Sequence, residues 1–418
     1  MLSGPDGTSS ELIERLRTYL ADRNWKRKIC AVCGIEFIAK GQSDNCGSYK
    51  CSGGYVFRSF SRRKRFTLLK EMMTETFSYF ISEGYRKLPS ASILNPYSRR
   101  GDSNNLEDTL FIVAGVQALN PIFIDEAPVT EGALFIAQPV IRTQYADMVG
   151  KIDGFSTSFV NICTEDLNAS PKRHVEHIDR WLSYLSHIGL FVNQTSIVPE
   201  FLTPDWGKGT FNNVAIYLNY GGLQLGDMSF FYGIPQRTRK EMTVSDIGFG
   251  LERVAWAVNK STSYFDAIGP FIESFLEKYR LMDSARTLAL ISGSGVTPSK
   301  EGTGYRFRKF AQMLLDADKG DFGFLHLIPY YHSFWGNLLQ LSRNSDECRN
   351  LIYREYLRRL NAQLSAALRI EWQNSWSDTE ALLESILTGS YGISVDQLRG
   401  VIASVLREEK ERSAGNNL

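Results

Sequence analysis

The run Asp246-Ile247-Gly248-Phe249-Gly250-Leu251-Glu252-Arg253 constrains this chain more than any other eight residues in it. Its spacing predicts that the Gly-x-Gly pair opens a helix and that Arg253 sits one turn inside. A helix start offers N–H groups with no partner inside the helix, and glycine lets an anion or nucleotide approach the backbone closely. Arg253 then presents a planar guanidinium fork suited to phosphate. A glycine pair alone fits a tight turn equally well, so the weight lies on the whole octet.

A second pattern is as local. Four of the six cysteines fall in Cys30-x-x-Cys33 and Cys46-x-x-x-x-Cys51. Two close pairs joined by a short loop bring four thiolates to one tetrahedral point, the donor set of a closed structural zinc site. A metal-free reduced loop explains this spacing poorly, and a catalytic zinc would need an open position. Cys163 and Cys348 stand apart and read as buried or incidental thiols. Six cysteines in 418 residues are no disulfide framework, so a reduced, cytoplasmic setting is expected. The polar stretch Met1 to Ser10 has no apolar core, so secretion is not expected. No apolar run approaches the ~20 residues of a membrane span. Net charge is +1, which gives no global attraction to nucleic acid or membrane. The basic clusters Lys26-Arg27-Lys28 and Arg62-Arg63-Lys64-Arg65 read as solvated faces.

Periodicity orders the rest. Helical spacing is expected over residues 10–22, at Phe66, Leu69, Met73, Phe77 and Phe80, and from Ser170-Pro171, an N-cap and N1 pair, through Trp181 and Tyr184. Between about 90 and 240, β-type runs occur at 109–113, 133–137, 214–218 and 228–232, which predict an antiparallel sheet that carries a site. After 251 the pattern is helical, including Tyr353, Tyr356, Leu357, Leu360 and then Leu382, Leu383, Ile386; the tail from Glu408 is expected to fray. His174 and His177 read as solvent-facing. Tyr330-Tyr331-His332 and Phe334-Trp335 read as helical core, and Glu252 as a structural ion-pair partner.

Taken with G-x-G-L-E-R, the third signature of class II aminoacyl-tRNA synthetases, several segments resemble the N-terminal half of an archaeal-type alanyl-tRNA synthetase from about residue 24 to about 400. These are the cysteine knuckle with its Arg27-Lys28-x-Cys30 lead-in, Asp108-x-Leu110-Phe111-x-x-Ala114-Gly115, Gln138-Pro139-x-Ile141-Arg142, Val149-Gly150, Gly295-Val296-x-Pro298-Ser299 and Gly304-Tyr305-x-x-Arg308. The resemblance implies an α+β fold: a class II antiparallel sheet flanked by helices, preceded by a zinc knuckle and followed by an all-helical domain. The expected domains are 1–60, the N-terminal helix and knuckle; 61–258, catalytic; and 259–418, helical and tRNA-recognition-like. It implies an amino-acid site at Trp206, Asp246 and Gly248, with Asp246 holding the α-amino group. A nucleotide site is implied at Arg142, Phe155, Gly250 and Arg253, with Arg142 and Arg253 in catalytic roles. RNA contacts are implied at Lys300, Arg306, Arg308 and Lys309, and zinc at Cys30, Cys33, Cys46 and Cys51. The family's editing signatures, His-x-x-x-His and Cys-x-x-x-His, do not occur in this sequence.

The departures are as specific. In the second class II signature Gly154 replaces an arginine that grips the α-phosphate, Phe155 a histidine and Val160 a glutamate; Thr157 and Phe159 keep the register. Such a contact is worth ~3–4 kcal/mol of transition-state stabilisation, and Lys151, the nearest substitute, lacks the bidentate fork. Beyond Trp206, Phe211 and Tyr217 stand where the family has Asn and Glu, which predicts a smaller or drier pocket. Lys300 and Gly389 replace the Asn and Asp that read an acceptor-stem G·U pair, so base readout gives way to a phosphate-type cation.

Three functions fit. The first is transfer of a small amino acid, alanine or similar, to a non-standard acceptor such as a sulfamate, sulfonamide or nucleoside, with aminoacyl-tRNA as a candidate donor; it follows if no cation faces the phosphate centre. The second is a minimal alanine–tRNA ligase using ATP and Mg²⁺. The third is a non-catalytic module that binds an amino acid or adenylate. Acyl transfer would then depend on positioning and charge, as no nucleophile dyad is evident.

Overall fold

The computed structural model describes residues 7–60, 66–98, 110–129, 131–206, 209–234, 241–269, 279–318 and 323–374. The basic run 62–65, the helical pattern at 382–386, Gly389 and the tail lie outside them, as do Asp108 and Thr109. The chain divides into two compact units, Met1–Phe271 and Ile272–Leu418.

The first unit is built on β1 (Lys26–Ile29), β2 (Glu36–Ala39), β3 (Arg86–Lys87), β4 (Leu134–Ile141), β5 (Ser158–Leu167), β6 (Thr195–Leu202), β7 (Asp205–Trp206), β8 (Gly209–Thr210), β9 (Asn212–Tyr220), β10 (Leu223–Ile234) and β11 (Met242–Gly250). Nine of these form one sheet in the order β1-β2-β6-β9-β10-β11-β5-β4-β3, and β7 pairs with β8. Within the large sheet all neighbours are antiparallel except β3 and β4. The helices are α1 (Gly7–Ala21), α2 (Tyr49–Ser52), α3 (Leu69–Ser82), the single turn α4 (Asn120–Phe123), α5 (Pro171–His187) and α6 (Leu251–Asn259). The hairpin β1–β2 joins the sheet through β6, so the cysteine segment is built onto the sheet edge.

Strand alternation decides which residues can form a site. On β5, Thr164 accepts from Trp181 Nε1 at 2.7 Å and Asp166 bonds His177 Nε2 at 2.8 Å, so the even positions face α5. On β11, Ser245 bonds His174 at 2.7 Å and Phe249 stacks on Trp181 with ring centroids 4.5 Å apart. Cys163, Glu165, Asp246, Gly248 and Gly250 therefore point to the opposite face.

The helix at Ser170-Pro171 begins as expected: the Ser170 side chain accepts from Arg173 N, and Pro171 occupies the first turn. Its histidines correct the reading. His174 and His177 are both buried against the sheet, because a polar partner on each facing strand satisfies a ring nitrogen that spacing alone cannot reveal. Burial, then the nearby His177, pulls His174 down to about 3. The unfolded ring titrates near 6.5, so this stability is complete above that pH and is lost as pH falls toward the folded value. The expected loss between pH 7 and pH 4 is about 3 kcal/mol from this group. Urea melts should show it in the native protein and a flatter profile in His174→Gln.

The segment 110–113 also differs from expectation. Phe111, Ile112 and Val113 are buried and Leu110 is half-buried, but only Phe111 makes a bridge, to Leu94. Ile112 is tied instead to Ile93 and Ile141 through its N–H and C=O, at 2.8 and 2.9 Å. A short apolar run reports burial; it does not by itself report a ladder.

The second unit packs α7 (Tyr279–Gly293), α8 (Gly302–Asp318), α9 (Phe324–Gly336) and α10 (Ser345–Asn374). Tyr331 and Trp335 are core, whereas Tyr330 on the other side of α9 is 45% exposed. Among the described residues no helix is long and apolar enough to cross a membrane.

Candidate functional site

On the sheet face away from α5 lies a cavity of about 310 Å³, within the size range of small-ligand sites. Its walls bring together Arg142, Phe155, Asp246, Gly248, Gly250 and Arg253, which family resemblance assigned to the site from three separate segments. β11 carries Asp246, Gly248 and Gly250 and runs directly into α6, so Arg253 follows one turn later. Gly248 is a strand residue and only Gly250 caps the helix, which corrects the expectation that the pair itself opens it. Glycine at 248 has a packing reason: a Cβ there would meet Asn161 Nδ2 at 3.0 Å. Asn161 is itself fixed by Gly115 N–H, which donates to its Oδ1 at 2.7 Å.

The charges are unequal. Arg142 donates from Nε to Val113 O at 2.8 Å and lies 5.1 Å from the Phe159 ring. Burial lowers its pKa, against the opposing pull of Asp227. Burial raises Asp227 against Arg142. Burial, with Asp227 beside it, pushes Asp246 up to about 7. Asp227 also lines the cavity, and sequence reading missed it. The available signal was an acid inside the apolar strand run 223–234, two residues before Ser229, the cross-strand partner of Asp246.

Gly154 brings no cation of its own to the site. Arg253 donates from Nε to the Gly154 carbonyl at 3.2 Å and from Nη1 to Gln224 O at 3.0 Å. Arg253, the arginine of the octet, and Arg142 both line the cavity. Lys151 is exposed and not part of the walls. Gly154 has φ +83°, and a Cβ there would meet Trp256 at 3.0 Å and the Tyr55 hydroxyl at 3.1 Å. Gly154→Arg is therefore expected to destabilise the fold by about 1–3 kcal/mol without adding a useful cation, as read by thermal unfolding alongside ligand binding.

Other candidates fall as follows. Trp206 lies on β7 opposite Gly209, and its side chain is outside the described residues. Phe211 is buried, packs on Phe231 at 5.2 Å and lines the cavity. Tyr217 lines a separate cavity of about 650 Å³ with Glu200 and Asn219. Both oxygens of buried Glu252 accept from Val160 N–H at 3.0 Å. In the second unit Lys300 is exposed, Arg306 is half-buried, Lys309 lies 5.4 Å from the Tyr305 ring, and Arg308 turns to Glu355 at 3.4 Å.

The four cysteines Cys30, Cys33, Cys46 and Cys51 converge, with their sulfurs all within 4.8 Å of one another. Cys33 and Cys46 Sγ are 3.9 Å apart, close to the ~3.8 Å edge of a tetrahedron with Zn–S bonds of about 2.3 Å. Burial disfavours the Cys30 thiolate, but the N–H groups of Cys33, Val32 and Cys46 outweigh it and draw the thiol down to about 6. The cluster fits a tetrahedral dication. It is fastened to the sheet where Ser196 Oγ and Asn219 Nδ2 donate to Cys46 O at 2.6 and 3.0 Å.

The nine-stranded, largely antiparallel sheet flanked by helices resembles the catalytic domain of a class II aminoacyl-tRNA synthetase. In sequence the chain is similar to archaeal alanine–tRNA ligases. It is 22% identical to that of Metallosphaera sedula over 84% of this chain and 46% of that protein. It is 25% identical to that of Sulfurisphaera tokodaii over 73% and 34%, and 27% identical to that of Methanocella arvoryzae over 62% and 29%. The chain thus spans less than half the length of these curated relatives. A pyrrolysyl tRNA synthetase, PylSc of Desulfitobacterium hafniense, is 14% identical over 49% of this chain and 71% of its own, with a TM-score of 0.33, too low to add to the fold assignment. No protein-family profile matches the chain.

Proposed function

We propose that this protein is an aminoacyl ligase or transferase acting on a small amino acid at the adenylate stage. Asp246 receives the α-amino group, and Arg142 and Arg253 face the phosphate and adenosine parts of ATP or an adenylate. The observation that carries this reading is a single cavity lined by a buried carboxyl group and two guanidiniums. Preorganised charge of this kind stabilises a developing phosphoryl or acyl transition state without reorganisation, and it demands no covalent enzyme intermediate. Mg²⁺ would accompany ATP as part of the substrate. The fit of the cysteine quartet supports a structural zinc ion held by Cys30, Cys33, Cys46 and Cys51; with all four positions filled by sulfur it supplies rigidity and no substrate position.

The test is a thermal-shift screen with alanine, ATP and alanyl-sulfamoyl adenosine, followed by alanine-dependent pyrophosphate exchange. Stabilisation by the last ligand together with exchange is the expected result; a protein indifferent to all three would overturn the reading. Tight binding without turnover would support the non-catalytic module.

A second reading concerns the acceptor. Lys300 stands where base-reading asparagine is expected, which favours a recipient other than the family's tRNA, such as a sulfamate, sulfonamide or nucleoside. Gly154 supports the same reading, since Arg142 and Arg253 are the two cations the resemblance already implied and neither adds to that position. Mass spectrometry of mixtures of Ala-tRNA with a sulfamoyl nucleoside decides it: an alanylated nucleoside formed with release of uncharged tRNA supports it, and Ala-tRNA left unconsumed by any acceptor removes it.

A further inference from the structure

Behind Asp246, on the adjacent strand, stands a second acid that none of the site assignments uses. Glu165 is the cross-strand partner of Asp246 and is wholly buried. Directly opposed residues on neighbouring strands share a face with Cβ atoms about 5 Å apart, so the two carboxyl groups face one another. Neither Glu165 oxygen makes a hydrogen bond, to Asp246 or to any other group, which leaves both open to a shared proton. Two adjacent carboxyl groups away from water cannot both be ionised. Around Asp246 the other titratable or charged groups are Asp227 from β10, Cys163 from β5 and Arg142 after β4. One guanidinium cannot neutralise three acids.

We propose that Glu165 is a positioning residue that stays protonated and holds Asp246 through a shared proton, so that capture of an ammonium group at this pair expels a proton to solvent. This rests on the reading that Asp246 receives the amino group. The balance is simple. In the free protein below neutral pH both acids carry protons. The incoming ammonium pairs with ionised Asp246, whose proton leaves to water, while the Glu165 O–H remains and donates to the other Asp246 oxygen. Desolvation followed by the charge of Asp246 raises Glu165 well above the ordinary carboxylate range, in agreement.

Two measurements test this. Infrared spectroscopy of the free protein at pH 9, where Asp246 is ionised, should show the carbonyl stretch of a buried protonated carboxyl, lost in Glu165→Gln. If the native protein lacks the band, or if the variant keeps it, the proposal is wrong whatever the ligand does. Calorimetry with alanyl-sulfamoyl adenosine, in buffers of different ionisation enthalpy, should find close to one proton released per ligand at pH 6 and net uptake at pH 8.5, where the free α-amine, titrating at ~8, must gain a proton to bind as ammonium. Affinity should weaken about tenfold for each pH unit below the midpoint. Glu165→Gln keeps a neutral donor and should keep the midpoint. Glu165→Leu removes the donor and should move it up by about one unit, with affinity recovering at high pH. A residue that only packs would lower the melting temperature in Glu165→Leu and leave the midpoint in place, and that outcome sinks the idea. Should the ligand fail to bind at any pH, the functional reading falls, while the infrared result still decides Glu165.

Discussion

Arg142→Ala lowers the rate of alanine-dependent pyrophosphate exchange by about 10²–10³, and it weakens capture of the amino acid as well. The two effects share a cause. Arg142 faces the space where phosphate charge would develop, and it is also the cation whose field favours ionisation of both Asp227 and Asp246. Without it two buried acids lose their counter-charge. They respond by taking up protons, since a buried unpaired charge is costlier than a neutral acid. Asp246, already raised to about 7, would then be protonated at neutral pH and unable to pair with an ammonium group. A rise in KM for alanine should accompany the fall in kcat, and raising the pH should recover part of the first and little of the second. Arg142→Lys restores charge without the fork, so binding should return before rate does. Kinetics across pH 6.5–9, with unfolding curves to confirm an intact fold, check this. A variant with native exchange rates would remove Arg142 from the site.

Stripping metal from the cysteine cluster has the largest expected effect on stability. Four sulfurs so close cannot all be thiolates without a cation, so removing the ion forces reprotonation and relaxes the loop. That loop is part of the sheet edge: Cys46 O is held by β6 and β9, and Tyr55, four residues after Cys51, donates to Asp153 O at 2.6 Å and packs on Trp256 with ring centroids 4.9 Å apart. The adjacent residue, Gly154, holds Arg253. Chelation, or Cys46→Ser, should therefore cost on the order of 4–5 kcal/mol and displace Arg253, so ligand affinity falls along with the melting temperature. Metal analysis of the purified protein should give one zinc per chain, and unfolding with and without chelator gives the difference. An unchanged melting temperature in a demonstrably metal-free sample would refute the assignment.

Much of this site was legible because it is encoded locally. The octet fixes a strand-to-helix junction within eight residues, and the cysteine spacing fixes a knuckle within twenty-two. The separate segments bearing Arg142 and Asp246 could be joined in advance only through resemblance to a known family. The errors share the opposite character. His174 and His177 read as surface residues because helical spacing states a face and not what that face meets. Leu110 to Val113 read as a strand because burial and pairing leave the same apolar signature.

The sequence by itself determined the short-range devices: the four-cysteine knuckle, the N-cap of α5, the Gly-Leu-Glu-Arg turn into α6, and the alternating strands that must bury one face. Only the tertiary structure decided that Arg253 would lie against Gly154, that Glu165 would stand behind Asp246, and that Asp227 would join them. Those outcomes depend on strand register across β5, β11 and β10, where one residue of slip turns every side chain to the other face. Such a choice is made by the packing of the whole sheet, and no segment of the chain contains it.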